Sequence, residues 1–301
     1  MGHDELLNSL IKIPIELEGD ASADCFADRI ELWGLSEQAF EEVTRSSCNH
    51  VVDGTGTRPY DGALIFLQFC RAYPNIFLDQ EHRLVELGAG IGVCGLMLAM
   101  ARKRKQQEEE LEPSSEPSIF LTDGEALTVE IARRNRSLLG LTPEELDVTV
   151  LQWSEDSQET RKIARLHSFQ HVIGTDLLYY MTPARALLIT AEALLARQLD
   201  STSAANDEGA IFLPAIIRTP SLSHEVVDIC RDLNLTVHIL PIESFCSPSN
   251  PFLYNLSFLI ITRQGAVLQP ALQEALDKAR LFDPNEDSDD DAHLPFSSDL
   301  P

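Results

Sequence analysis

The chain has 301 residues, 44% of them hydrophobic, with 48 acidic against 23 basic side chains and a formal net charge of -25. That length can bury a substantial core, and that charge argues against duplex nucleic acid as the main partner, because neutralising phosphates needs basic clusters. No stretch approaches the roughly 20 apolar residues of a membrane-spanning helix, so a soluble protein with no membrane partner is expected.

Met1–Leu17 mixes acids with short apolar stretches and lacks a basic start and a continuous apolar run, so no secretory signal is expected. The six cysteines (Cys25, Cys48, Cys70, Cys94, Cys230, Cys246) form no C-x-x-C pair and have no zinc-like spacing to histidine. Reduced thiols, no metal site and a cytoplasmic or nuclear setting are expected. A monomer is the expectation for oligomeric state.

In chain order, residues 1–50 read as an accessory segment. Ile11–Leu17 and Arg29–Trp33 can pair as an antiparallel ribbon, Pro14 keeping the first run at an edge, and a short helix follows near Ser36–Thr44. Residues 51–282 read as the main domain. Seven β-rich apolar runs recur there, at Arg83–Leu87, Ile119–Thr122, Val148–Leu151, His171–Thr175, Ala210–Ile217, Thr236–Leu240 and Leu256–Thr262.

Helical patterns separate most of these runs: Val93–Met100, Glu125–Leu139 closed by Gly140, Pro183–Gln198 with Thr182 as cap and Pro183 at its first position, and about Ser221–Leu233. The alternation predicts an α/β, doubly wound, seven-stranded sheet, mostly parallel, with helices on both faces. The last two runs lack an intervening helix, so they are predicted to form an antiparallel pair. Residues 102–118 pass from a basic run through glutamates to proline and serine and read as an exposed insertion. Residues 283–301, dense in aspartate, read as a disordered acidic tail.

The chemistry concentrates at strand ends. Val85-Glu86-Leu87-Gly88-Ala89-Gly90-Ile91-Gly92 closes the first strand of the main domain and opens a helix. Glycines there let the backbone approach a nucleotide-like ligand closely. Gly90 to Gly95 also matches the dinucleotide pattern G-x-G-x-x-G, which by itself is a weak signal. Glu86 and the earlier Gly88 complete E-x-G-x-G-x-G, which resembles motif I of class I methyltransferases and favours S-adenosylmethionine as cofactor.

Asp123, followed by Gly124, ends the next strand, where a carboxylate can accept hydrogen bonds from two ribose hydroxyls or cap the following helix. Trp153, after the third strand, can stack on adenine or fill core. After the fourth strand comes Gly174-Thr175-Asp176-Leu177-Leu178-Tyr179-Tyr180. Asp176-Leu177-Leu178-Tyr179 matches the D-x-x-Y motif of methyltransferase family 16, the seven-β-strand protein-lysine methyltransferases, and the resemblance spans roughly residues 54–262. It implies a Rossmann-like fold, S-adenosylmethionine as cofactor and a lysine side chain of a partner protein as substrate. A protein histidine, a protein N-terminus, a small-molecule amine and a catalytically idle binding module are the alternatives.

The resemblance assigns Glu86, Gly88, Gly90, Gly92, Asp123 and Trp153 to cofactor binding, with Asp176 and Tyr179 catalytic; Gly124 and Thr175, beside Asp123 and Asp176, join the cofactor set. Tyr60, in Thr57-Arg58-Pro59-Tyr60-Asp61-Gly62, stands where the family has tryptophan and joins the cofactor set, and Gln152 stands where many members carry an acid. Arg58 and Glu125 are further candidates.

Overall fold

The structure is a computed structural model, and it describes residues 3–17, 26–46, 55–112, 116–156, 158–167, 169–179, 183–195, 209–215, 220–246 and 257–281. The elements begin with α1 (His3–Asn8), the strands β1 (Leu10–Glu16) and β2 (Arg29–Leu35), α2 (Glu37–Ser46) and a 3₁₀ turn at Thr55–Thr57. Then come α3 (Asp61–Ala72), α4 (Pro74–Phe77), β3 (Leu84–Glu86), α5 (Val93–Glu108), β4 (Ile119–Asp123), α6 (Ala126–Leu138) and β5 (Leu146–Val150). The remainder is α7 (Gln158–Leu166), β6 (His171–Ile173), α8 (Ala184–Leu194), β7 (Ala210–Ala215), α9 (Pro220–Asp232), β8 (Leu235–Leu240), β9 (Ser257–Arg263), α10 (Pro270–Leu276) and β10 (Arg280–Leu281).

The main sheet runs β10-β8-β9-β7-β6-β3-β4-β5. β5, β4, β3, β6 and β7 are mutually parallel, as helical crossovers require. β9 lies antiparallel between β7 and β8, so the expected antiparallel pair is present. All seven expected strands occur. An eighth, the two-residue β10, pairs antiparallel with β8 at the edge, where it has no apolar run to announce it.

Strand residues alternate between two cores. Leu84, Ile119, Leu121 and Phe212 face the layer with α3, α4 and α5. Val85, Phe120, Ile211 and Leu213 face the layer with α8 and α9. In the first layer Phe69 stacks among Phe77, Phe212 and Phe258 at 4.5 to 5.9 Å between ring centroids. α3 carries most of this aromatic contact, with Phe66 and Phe69 wholly buried. It fixes one wall of the site described below.

Several boundaries differ from the sequence expectation. The segment 102–118 is not an exposed loop throughout, because α5 continues to Glu108. Arg102 is buried there: its Nε donates to Phe77 O at 2.7 Å, and its Nη1 to His82 O and Ser118 Oγ. The basic run is therefore partly a core feature, which satisfies carbonyls that would otherwise be orphaned. α8 begins at Ala184 with Pro183 in the cap position, and the expected cap Thr182 lies outside the described residues. Cys25, Cys48 and the acidic segment 283–301 also lie outside them.

The N-terminal ribbon exists, with β1 and β2 paired from Leu10↔Leu35 to Glu16↔Arg29. It packs through β2 on α6 rather than joining the main sheet. Among the described residues no helix is long and apolar enough to cross a membrane.

Candidate cofactor and active site

In the main sheet the chain leaves β3 toward β4 and β5 on one side and returns through β6 and β7 on the other. Such a reversal opens a crevice at the carboxyl ends of the two central strands. A cavity of about 600 Å³ occupies it, within the range that holds a cofactor-sized molecule. Its walls come from the loops after β3, β4, β5 and β6 and from residues 55–63.

The loop after β3 turns through three residues in the left-handed region, Gly88 (φ 56°), Gly90 (φ 54°) and Gly92 (φ 87°). At Gly90 close approach also demands glycine, since a Cβ would stand 2.6 Å from Gly56 O. Gly88 and Gly90 line the cavity. Gly92 does not: it sits against Leu121 and Leu96 as the cap residue of α5, so its place is in the helix entry rather than the cavity wall.

Asp123, at the tip of β4, is a hub. Its Oδ2 accepts Gly90 N–H and its Oδ1 accepts Glu125 N–H, both at 2.9 Å. The N-cap position of α6 is Glu125, with no side-chain cap bond, so Asp123 holds the turn before the helix instead of capping it; a carboxylate with about four lone-pair sites still has acceptor capacity for hydroxyls in the cavity.

Glu86 is buried beneath the loop with its Oε2 accepting Gly95 N–H at 2.8 Å. Burial pushes its carboxyl up to about 8, with Asp123 acting in the same direction and the Gly95 N–H and Cys94 opposing. Burial likewise raises Asp61 at the rim and holds the neighbouring thiols Cys70 and Cys94 well above the usual range.

Asp176 follows β6 with φ 57°, a left-handed conformation unusual for a residue with a side chain. Its N–H donates to Pro214 O on β7, and its Oδ2 accepts Gly62 N–H at 2.6 Å, in the first turn of α3. The carboxylate is therefore set at a helix N-terminus, where the dipole favours negative charge. Tyr179 and Thr175 line the same cavity, as do Gly124 and Trp153, whose indole Nε1 is buried without a hydrogen-bond partner among the described residues. Tyr60 stands at the rim, 42% exposed.

All of the expected site residues except Gly92 thus converge on one cavity. Thr55, Gly56 and Asp61 join them without having been singled out in the sequence, and Arg58 and Glu125 are present as well. The Gly56 position had a signal in its Thr-Gly-Thr setting, but nothing local tied it to Gly90.

The residues present fit S-adenosylmethionine, which carries a sulfonium, an ammonium and a carboxylate together with a ribose and an adenine. Besides the buried Glu86, which keeps its proton at neutral pH, four lining side chains are acidic (Asp61, Asp123, Glu125, Asp176), and among the described residues Arg58 is the one lining cation. Such a site suits a ligand of net positive charge. Asp123 offers acceptors to a ribose, the glycine loop leaves room for an extended arm, and Trp153 offers an aromatic face and an unused donor to a heterocycle.

Three solved structures are among those similar to the chain. A TehB-like S-adenosylmethionine-dependent methyltransferase from Corynebacterium glutamicum is 9% identical, with 75% of this chain and 97% of that chain covered at a TM-score of 0.41. The 16S rRNA N2 G1207 methyltransferase of T. thermophilus, in complex with AdoMet and guanosine, is 11% identical and covers 84% of this chain and 50% of its own at 0.48. A precorrin 8W decarboxylase from Methanobacterium thermoautotrophicum is 13% identical and covers 70% and 95% at 0.40. A search of curated proteins finds no match.

The chain is an S-adenosylmethionine-dependent methyltransferase by its family. Residues 53–206 match the family model described as lysine methyltransferase, and the chain belongs to that family, methyltransferase family 16.

Proposed function

We propose that the protein transfers a methyl group to the side-chain amine of a lysine in another protein. The observation that carries this reading is the placement of Asp176, an anchored carboxylate in the wall of an acid-lined cavity. The family description agrees with it.

S-adenosylmethionine, when bound, supplies a methyl group already activated on a sulfonium, so no acid or base is needed at the methyl carbon. In this reading Asp123, the Gly88–Gly90 loop, Glu86, Gly124, Thr175, Tyr60 and Trp153 hold it. What remains for the chain is to receive, deprotonate and aim the nucleophile.

A lysine amine with an ordinary pKa of about 10.4 arrives protonated and without a lone pair. The acidic wall attracts that ammonium, and Asp176 orients it by charge-assisted hydrogen bonds. The sulfonium of bound S-adenosylmethionine and the apolar Leu177 and Leu178 would favour its neutral form, so that the proton would leave to solvent before transfer. Asp176 then accepts hydrogen bonds from the remaining N–H groups, and Tyr179 forms an aromatic wall beside the amine. Asp176 acts by positioning.

The test is incubation of fractionated cell protein with tritiated S-adenosylmethionine, followed by fragmentation mass spectrometry of the labelled band. Methyl groups on lysine support the reading. Methyl groups on histidine or on an α-amine would replace it with one of the alternative nucleophiles.

A further inference from the structure

The N-terminal hairpin lies outside the residues matched by the family model, yet it is fastened to the back of the cofactor loop. Asn135 of α6 is wholly buried, and its amide uses every hydrogen-bonding group it has. Oδ1 accepts Trp33 N–H at 2.6 Å, while Nδ2 donates to Trp33 O at 3.0 Å and to Ile91 O at 2.9 Å. One side chain thus plays the part of a neighbouring strand toward β2 and at the same time grips the residue between Gly90 and Gly92.

A second seam runs alongside. A Cβ on Gly34 of β2 would stand 2.9 Å from Thr57 O, and one on Gly56 would stand 3.3 Å from Gly90 Cα. Hairpin, 3₁₀ turn and cofactor loop therefore approach one another backbone to backbone, with the side chains of Ile13 and Thr128 packed beside the two glycines, so that a shift in one is passed to the next. Yet no residue of β1 or β2 lines the cavity.

We propose that the hairpin is a working part of the cofactor site: through Asn135 it sets the curvature of Gly90–Gly92, so that hairpin docking and cofactor binding strengthen each other. The inference rests on the reading that this cavity takes the cofactor. Asn135 is then a positioning residue. By linkage, whatever affinity the docked hairpin confers on the cofactor, the cofactor returns to the hairpin.

The test uses the full chain, with S-adenosylhomocysteine as probe. Calorimetry of the wild type comes first, because failure to bind would remove the cavity assignment itself and this coupling with it. Given binding, hydrogen exchange at Leu10–Glu16 and Arg29–Leu35 slows on adding the probe, by more than at β8 and β10 across the sheet. Asn135→Ala weakens the probe roughly tenfold, the scale of one lost buried hydrogen bond, and removes the hairpin's extra protection. Wild-type binding with unchanged hairpin exchange would overturn the coupling, as would Asn135→Ala affinity within about twofold of wild type. Should Asn135→Ala not fold, the wild-type exchange comparison decides alone.

Discussion

Asp176 and Gly62, 114 positions apart in sequence, are joined by a 2.6 Å hydrogen bond from the Gly62 N–H to Asp176 Oδ2. The bond links the first turn of α3 to the tip of β6 and fixes the direction of the Asp176 carboxylate, which the proposed mechanism turns toward the substrate amine. A Cβ on Gly62 would stand 2.5 Å from the same oxygen, so the contact exists only because the residue is glycine.

Gly62→Ala should therefore displace the carboxylate without touching the cofactor side of the cavity. A displacement near 1 Å costs on the order of 100-fold in turnover, while affinity for S-adenosylhomocysteine should stay within about threefold of wild type. Methyl transfer and calorimetry on the same preparation check this. Equal losses in both would show that the residue supports the whole site instead of aiming Asp176.

Asp123→Ala removes the acceptor for Gly90 N–H and Glu125 N–H together with the proposed ribose ligand. Loss of two charge-assisted bonds predicts weaker S-adenosylhomocysteine binding by about 2–4 kcal/mol, roughly 30-fold or more. Asp123→Asn keeps one acceptor and should fall between the two. Calorimetry of the three proteins gives the order.

Glu86 makes stability depend on pH. Its folded carboxyl, raised to about 8 from 4.5, holds a proton that the unfolded chain has released in that interval. The folded state binds more protons there, so the contribution is fully present below pH 4.5 and is lost as pH rises through 8. The loss is on the order of a few kcal/mol. Glu86→Gln retains an acceptor for Gly95 N–H and cannot titrate, so its urea-unfolding free energy should decline less than that of the wild type between pH 5 and pH 8, roughly the interval set by the two pKa values.

Arg102 is a stability residue despite its place in a basic run. Arg102→Leu would leave Phe77 O and His82 O without their donor in the core and should cost about 2–4 kcal/mol. Lys103→Ala, which breaks a partly exposed pair with Glu145, should cost no more than about 1 kcal/mol. Chemical denaturation of both variants separates the two cases.

The contrast between Arg102 and Lys103 shows where the sequence could be read and where it could not. The seven main strands announced themselves because burial on both faces demands short β-branched and aromatic runs, and the acids at their tips followed from strand ends alone. α3 escaped because Ala63, Ile65, Phe66, Leu67, Phe69 and Cys70 are all buried, which erases the helical period. α5 looked shorter than it is because its last two turns carry charges, one of which is buried.

In the site, Glu86, Gly88, Gly90, Asp123 and Asp176 were legible because each sits in a local pattern beside a strand. Gly92 was assigned with them because spacing does not reveal which glycine faces a ligand and which one starts a helix. The bonds from Gly62 to Asp176 and from Asn135 to Trp33 and Ile91 join distant segments, and no local rule points to them.

The most direct measurement of the central claim gives wild type and Asp176→Asn the same cell-protein fraction and S-adenosylmethionine carrying a trideuterated methyl group, and locates the label by mass spectrometry. The wild type should place the heavy methyl on lysine. Asp176→Asn, which keeps an acceptor for Gly62 N–H but not the charge, should bind S-adenosylhomocysteine normally and place little or none. Label on a residue other than lysine, or equal lysine labelling by both proteins, would contradict the account.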